Sequence, residues 1–285
     1  MCQTWFEWLN QMGAQPDAPG YERVRQQVLT AARPAPGETV VDVGAGLGLL
    51  TFPFARQVQP GGRVIAIEPS DDCRAQLLQT RQTLNDEGPI EVRPGRAEAL
   101  GVDDRSCDLI VTRSVLIYVH DKAQAFREFA RALKPGGRLV CWEPINAYSY
   151  RIWQLHRWFD LSSLGNIAAV IEETEKGYFA LDEPMCTFTE NDLLYAAEAA
   201  GFSTLKLSLE HEVAYQEMTL EDLKRRLGWD THFVPTRPTF RELLAEHLAQ
   251  AQIDALLEVI GRQLPGRKVR IEGATALLCG RTNDE

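Results

Sequence analysis

The chain has no C-x-x-C pair. Its six cysteines, Cys2, Cys73, Cys107, Cys141, Cys186 and Cys279, are scattered over 285 residues. Disulfide frameworks and zinc sites need closely patterned cysteines, so this scatter reads as reduced thiols in a cytoplasmic protein. A three-thiol metalloid site is the functional alternative, and the spacings do not suggest one. No apolar run approaches the ~20 residues that span a bilayer, which argues against a membrane role. The N-terminus is polar and broken by Pro16 and Pro19, unlike a signal peptide. Basic charge is also scarce: 30 Lys and Arg stand against 40 Asp and Glu, a net charge of −10. Broad nucleic-acid binding needs phosphate neutralisation and is thereby excluded, though a local basic patch is not. There is no internal repeat and no low-complexity tract. What is present is ordinary for a globular chain, 45% hydrophobic and 25% charged. That is enough to bury a core without staples, as one large domain or a core with additions.

The stretch Thr39–Phe54, TVVDVGAGLGLLTFPF, organises the rest. Thr39 to Val43 are β-branched apart from Asp42 and read as a strand buried on both faces. Gly44, Gly46 and Gly48 follow at alternate positions, where a backbone can turn sharply and a ligand can come close. A helical pattern begins at once, with Pro53 early in it, so free N–H groups are expected at the helix start. Strand, glycine loop and helix make a small-molecule cradle at the end of a parallel strand. A dinucleotide fingerprint wants G-x-G-x-x-G, and here Leu49 takes the place of the last glycine. Asp42 beside the cradle suits a cationic ligand better than a pyrophosphate.

These residues resemble motif I of the class I methyltransferases that use S-adenosylmethionine (SAM), D-x-G-x-G-x-G. The next strand, Arg63 to Glu68, RVIAIE, ends in an acid 20 residues beyond Gly48. A carboxylate there is placed for ribose hydroxyls. Ser70 can cap the next helix, whose apolar positions are Leu77, Leu78 and Leu84. A third strand is Ile90 to Arg93. Gly95 to Leu100, GRAEAL, is similar to the family's adenine-contacting motif III, except that Arg96 replaces the usual acid. Either Glu98 supplies an acceptor or backbone groups hold the base, and Arg96 can stack on the ring. Asp108 to Thr112 is the fourth strand. The segment RSVLIYVHDKAQAFREFARALKPGGRLVCWEP resembles the family closely, with Phe126, Phe129, Ala130 and Leu133 as a helical core face and Asp121 as its cap. Lys134 to Gly137 is expected to end the helix and turn the chain into a fifth strand, Arg138 to Trp142. The resemblance covers about Thr39 to Pro144 and is to the branch typified by quinone-biosynthesis and other small-molecule enzymes.

The implied fold is α/β, a Rossmann-like three-layer sandwich. Its sheet is seven-stranded and mostly parallel with the last strand antiparallel. Residues 1–36 form an N-terminal helical segment; 37–145, 189–216 and 267–285 form the SAM-binding core. Residues 146–188 and 217–266 leave carboxyl ends of strands and are expected to form a helical lid. The aromatics Trp5, Phe6 and Trp8 either pack on the core or form a flap over the ligand, and the run from Tyr148 to Phe159 either lines an apolar pocket or packs the lid itself. The resemblance implies SAM as cofactor, held by Tyr21, Asp42, Gly44, Ala45, Gly46, Glu68, Pro69, Arg96, Ala97, Glu98, Arg113 and Ser114. No metal is expected, since Arg113 and Ser114 stand where hard oxygen ligands would be needed. Methyl transfer is an in-line displacement that needs alignment, and a base only if the acceptor carries a proton. The candidate bases are Glu143, His120 and His156. The expected reaction is methylation of an oxygen or nitrogen on a small, partly apolar molecule by a monomer or homodimer. The rivals are an NAD-dependent oxidoreductase and a non-catalytic SAM-binding module.

Overall fold

The computed structural model describes residues 4–13, 18–83, 88–149, 155–178, 184–235 and 237–284. Cys2, Pro16, Leu84, Tyr150 and Trp153, which figure in the sequence reading, lie outside them. In chain order the elements are α1 (Trp5–Gln11), α2 (Glu22–Ala32), β1 (Thr39–Val43), α3 (Thr51–Gln57), β2 (Arg63–Ile67), α4 (Asp71–Thr83), β3 (Ile90–Arg93), β4 (Cys107–Arg113), α5 (Lys122–Ala132) and β5 (Leu133–Pro144). There follow α6 (Asn146–Ser149), α7 (Leu155–Trp158), α8 (Asn166–Tyr178), α9 (Glu190–Ala199), β6 (Thr204–Gln216), α10 (Leu220–Arg226), α11 (Phe240–Ala245), α12 (Gln250–Gln263) and β7 (Val269–Arg281).

The seven strands form one sheet in the order β3-β2-β1-β4-β5-β7-β6. β1 pairs in parallel with β2 and β4, β2 with β3, and β4 with β5, while β7 runs antiparallel to β5. Helices flank it, giving the α/β sandwich expected of alternating strand and helix patterns. Val43 lies beside Ile67 on one side and Thr112 on the other, and Arg113 lies beside Trp142. This register sets Gly44, Glu68, Arg113 and Glu143 in a row along the carboxyl rim of the sheet.

The chain divides into two compact units. The larger comprises Thr4–Ile145, Phe188–Glu210 and Thr275–Glu285. Its core packs the buried strand residues Val40, Val64, Leu109, Val111 and Val140 with Val28, Leu29, Phe52 and Phe54 from helices. On α4 Leu77 is fully buried but Leu78 is 43% exposed, so only one of that pair faces the core. Asp121 caps α5 by accepting from the Gln124 N–H at 2.8 Å.

The segment Lys134 to Gly137 departs from expectation. It does not separate α5 from β5 but belongs to β5, which begins at Leu133. Cys107 pairs with Leu133 and Leu109 with Arg138, so Asp108 alone faces four residues of an outward bulge. The Lys134 ammonium lies 2.8 Å from both Asp108 carboxylate oxygens and holds it, and Gly136 supplies the positive φ of 70° that the bulge requires.

The smaller unit comprises Asn146–Thr187 and His211–Ala274. It has its own core, in which Phe159, Tyr178, Leu223, Trp229, Phe240, Leu256 and Ile260 are all buried. Thr219 and Thr239 start α10 and α11 with reciprocal capping boxes to Asp222 and Glu242. From the aromatic run, Phe159 is buried in this core and Trp158 packs against it. Tyr148 lies against His211, ring centres 4.7 Å apart. Among the described residues no helix is long and apolar enough to cross a membrane.

Candidate functional site

The glycine loop runs from Gly44 to Leu50, longer than a helix starting directly after the glycines would allow. Gly44 has φ 67°, and a Cβ there would stand 2.4 Å from Val115 Cγ2, so the loop and the β4 tip touch with no room for a side chain. Gly48 has φ 94°, with Phe52 Cε2 equally close to any Cβ. The N–H groups of Gly44, Ala45, Gly46 and Gly48 are not free. Gly44 and Ala45 donate to Ile67 O at 2.8 and 3.1 Å, Gly48 donates to Ala45 O at 2.9 Å, and Gly46 donates to Glu68 Oε2 at 2.9 Å. A loop whose amides are satisfied internally has none of these to give a pyrophosphate, which needs them. It offers space and carbonyls instead.

Asp42 is only 2% exposed, and its Oδ2 accepts from the Thr51 hydroxyl at 2.6 Å. Burial raises its pKa to about 7, with the nearby Glu68 charge adding to the rise. Instead of standing beside a ligand's ammonium, this carboxyl ties the end of β1 to the first turn of α3 and so fixes the loop between them.

Glu68 ends β2 with both carboxylate oxygens engaged once each, by Gly46 N–H and by Ser70 N–H at 2.9 Å. Burial shifts its pKa upward against the pull of those donors. The Arg74 guanidinium donates to the Glu68 carbonyl at 2.6 Å and holds the strand tip. Pro69 beside it is exposed. The expected adenine turn lies close by: a Cβ on Gly95 would meet Ile67 Cγ2 at 2.6 Å. Arg96 and Ala99 exchange backbone hydrogen bonds, which buries Ala97, leaves Glu98 half-buried and turns Arg96 outward.

At the β4 tip, Ser114 adopts φ 54° and donates its N–H to Trp142 O at 2.9 Å. This fixes Arg113, whose guanidinium carbon lies 4.6 Å from the Tyr21 ring centre and 5.8 Å from that of Trp142. Arg113 Nε is buried with no hydrogen-bond partner. Glu143 is fully buried. Its Oε1 accepts from Thr112 Oγ1 at 3.0 Å and Val115 N–H at 3.2 Å, and its Oε2 from Ile117 N–H at 3.4 Å. A carboxylate so surrounded shapes the loop after β4; it is not open to an acceptor, as the topological argument for a base had supposed. His120 is exposed on that loop, and His156 is exposed on α7 in the smaller unit.

Three side chains at this corner were not singled out as site residues from sequence. Val115 presses on Gly44. Tyr118 is half-buried, and burial raises its phenol pKa. Trp5 packs edge-on against Tyr118, ring centres 5.1 Å apart, and against Trp8 at 5.6 Å. Leu9 Cδ1 lies 3.5 Å from where a Gly46 Cβ would be, so α1 covers the glycine loop. Tyr21 donates its hydroxyl to Met12 O at 3.4 Å, joining the end of this cover to the Arg113 stack. The early cluster of aromatics was the only signal in the sequence for this arrangement.

Two of the buried carboxyls, Asp42 and Glu143, have a consequence for stability. Burial raises Glu143 from 4.5 to about 7, and Asp42 from 3.8 to about 7. Between the ordinary and raised values the unfolded chain binds fewer protons than the folded one, so stability falls as pH rises through that window. Glu143→Gln should flatten the pH dependence of urea unfolding between about pH 5 and 8 relative to the parent. An unchanged slope would mean that Glu143 ionises in the folded protein as it does in water.

Residues 41–141 match the family model described as a methyltransferase domain. The chain is 32% identical over 187 residues to the ubiquinone/menaquinone biosynthesis C-methyltransferase of Idiomarina loihiensis, covering 64% of this chain and 70% of that protein. The chain belongs to the class I SAM-dependent methyltransferases. It is also 37% identical over 137 residues to an uncharacterised 37.1 kDa protein of a Streptomyces fradiae transposon, of which it spans only 38%. Among solved structures, a Haemonchus contortus phosphoethanolamine N-methyltransferase in complex with SAM aligns with a TM-score of 0.55 at 15% identity, over 99% of this chain and 60% of that one. That likeness is one of fold. The methyltransferase's own residues fit SAM on three observations: a loop with no space for side chains, a buried acid at the β2 tip, and an unpartnered guanidinium nitrogen at the β4 tip.

Proposed function

We propose that this methyltransferase methylates an oxygen or nitrogen of a small, partly apolar molecule. The observation that carries the reading is the aromatic corner of Trp5, Tyr21 and Tyr118 beside Arg113, next to the glycine loop. It offers flat apolar faces with two polar groups, the usual make-up of a small-molecule site.

When bound, SAM supplies a methyl group already activated by the positive sulfur. The chain's own residues then have to position, enclose and desolvate. Gly44, Ala45 and Gly46 leave room for the amino-acid tail, and Glu68 with Pro69 takes the ribose. Ala97 and Glu98 border the adenine, with Arg96 at its outer edge. Arg113, Ser114 and Tyr21 close the tail end. Asp42 and Glu143 serve indirectly, by fixing the loops that carry these groups. Tyr118, its phenol proton held by burial, donates a hydrogen bond in preference to abstracting a proton. His120 and His156 remain the exposed candidates for a base if the acceptor arrives protonated. The expected lid segments, 146–188 and 217–266, fall largely within the smaller unit, to which we assign acceptor selection. We assign the enzyme to the cytoplasm, where thiols such as Cys73, Cys107, Cys141 and Cys279 stay reduced.

A second reading is methylation of carbon, favoured by the name of the Idiomarina relative. Metabolite extracts incubated with the enzyme and methyl-¹³C SAM separate the two, because carbon NMR distinguishes methoxy, N-methyl and C-methyl products. A methoxy or N-methyl signal is expected. A C-methyl product would replace the first reading with the second, and no labelled product from any extract would favour a module that binds SAM without catalysis.

A further inference from the structure

Trp142 stands beside Arg113 in the parallel register of β4 and β5, so the two side chains leave the same face of the sheet. The Arg113 guanidinium lies against two rings, those of Tyr21 and Trp142. Each ring is tied at its polar end. Tyr21 donates its hydroxyl to Met12 O, and the Trp142 indole N–H donates to Gln27 Oε1 at 3.1 Å. Gln27 Nε2 donates in turn to Glu210 Oε2 at 3.5 Å, and Glu210 pairs with Arg23. An indole N–H only donates and an ionised carboxylate only accepts, so these two neighbours fix which way the Gln27 amide points. Tyr21 is the N-cap of α2, and Arg23 and Gln27 lie one turn apart on that helix. One helix therefore sets the rings on both sides of the guanidinium. All six of these residues belong to the larger unit.

We propose that Gln27 is a positioning residue for cofactor recognition: it holds the Trp142 indole, and the indole together with Tyr21 aims Arg113 at the carboxylate of SAM. The inference rests on the reading that the amino-acid tail of SAM ends at Arg113, and extends it to two residues that act through Arg113. A guanidinium meets a carboxylate with parallel N–H bonds in one plane, so the tilt of that plane decides how well they pair. The rings on either side set the tilt. Arg113 Nε is buried without a partner and contributes no bond of its own to orient the group. Without the Gln27 bond, the Trp142 ring has only packing to keep its angle, and part of the aim is lost. The loss falls on ligands that carry the carboxylate.

Calorimetry on the full chain with three ligands tests this. Gln27→Leu keeps a good helix former on α2 and removes both polar ends of the amide. It should weaken SAM and S-adenosylhomocysteine about fivefold, and 5′-methylthioadenosine, which lacks the amino-acid tail, by less than about twofold. Trp142→Phe keeps a ring, removes the N–H and should act in the same way; it carries the test if Gln27→Leu does not fold, which thermal unfolding checks. Both changes remove one and the same bond, so the double variant should be no weaker than the more affected single one. In an Arg113→Gln background, Gln27→Leu should have no further effect on any of the three ligands. Equal losses for all three, no loss at all, single effects that add, or a loss that persists beside Arg113→Gln overturns the inference. Were Arg113→Gln itself to weaken all three ligands alike, the reading of the tail would fail and the inference with it. A selective Arg113→Gln beside an unselective Gln27→Leu overturns the inference alone.

Discussion

Glu68→Ala is expected to weaken SAM binding by roughly 1–3 kcal/mol, up to a hundredfold or so in dissociation constant. A carboxylate has about four acceptor positions. Two are used here, by the Gly46 and Ser70 N–H groups, which lock both oxygens in place and leave each with a second lone pair for a ribose hydroxyl. The same bonds mean that the variant loosens the glycine loop, so part of the loss arises from the loop itself. Glu68→Gln separates the contributions. It keeps the shape and removes the charge, but turns a donor toward one of the two backbone N–H groups. Calorimetry with SAM, alongside thermal unfolding of each variant, reads the effect. An unchanged affinity in a folded Glu68→Ala protein would show that the ribose lies elsewhere.

The second large effect should come from Arg113→Gln, and it should be selective. A guanidinium packed between the Tyr21 and Trp142 rings is aimed by its surroundings, and its Nε is buried without a partner. A buried donor left unmatched costs free energy that a ligand carboxylate can return. SAM and S-adenosylhomocysteine both carry the amino-acid carboxylate; 5′-methylthioadenosine does not. The variant should therefore lose about 1.5–3 kcal/mol of affinity for the first two and almost none for the third. Equal losses for all three ligands would mean that Arg113 shapes the pocket without meeting the tail, for example by ordering Tyr21.

Much of the larger unit was legible in the sequence, for a physical reason. Buried parallel strands must be apolar throughout, so Val40–Val43, Val64–Ile67 and Leu109–Val111 announce themselves as short β-branched runs. The distance from Gly48 to Glu68 then follows from one helix crossover. What the sequence does not display is where polar groups find their partners. Asp42 and Glu143 look like site carboxylates because both end core strands. Only the coordinates reveal that Thr51 takes one, and that Thr112 with the amides after β4 takes the other. The glycine-loop amides are similar: spacing places them at a rim, but the acceptor, Ile67 O, comes from a neighbouring strand. The Lys134–Gly137 bulge reads locally as a turn, since nothing local reveals the Asp108–Lys134 pair across the sheet. Trp5 and Tyr118 meet beside the cradle through a contact more than a hundred residues apart in sequence, beyond the reach of any periodicity.

A crystal structure of the protein grown with S-adenosylhomocysteine tests the assignment of the rim most directly. The ligand should lie across the carboxyl ends of β1, β2 and β4, with its sugar hydroxyls on Glu68, its carboxylate at Arg113 and its tail over Gly44 to Gly46. A ligand bound with its ribose away from Glu68, or the same rim taken up by a phosphate-bearing nucleotide in preference, would contradict it.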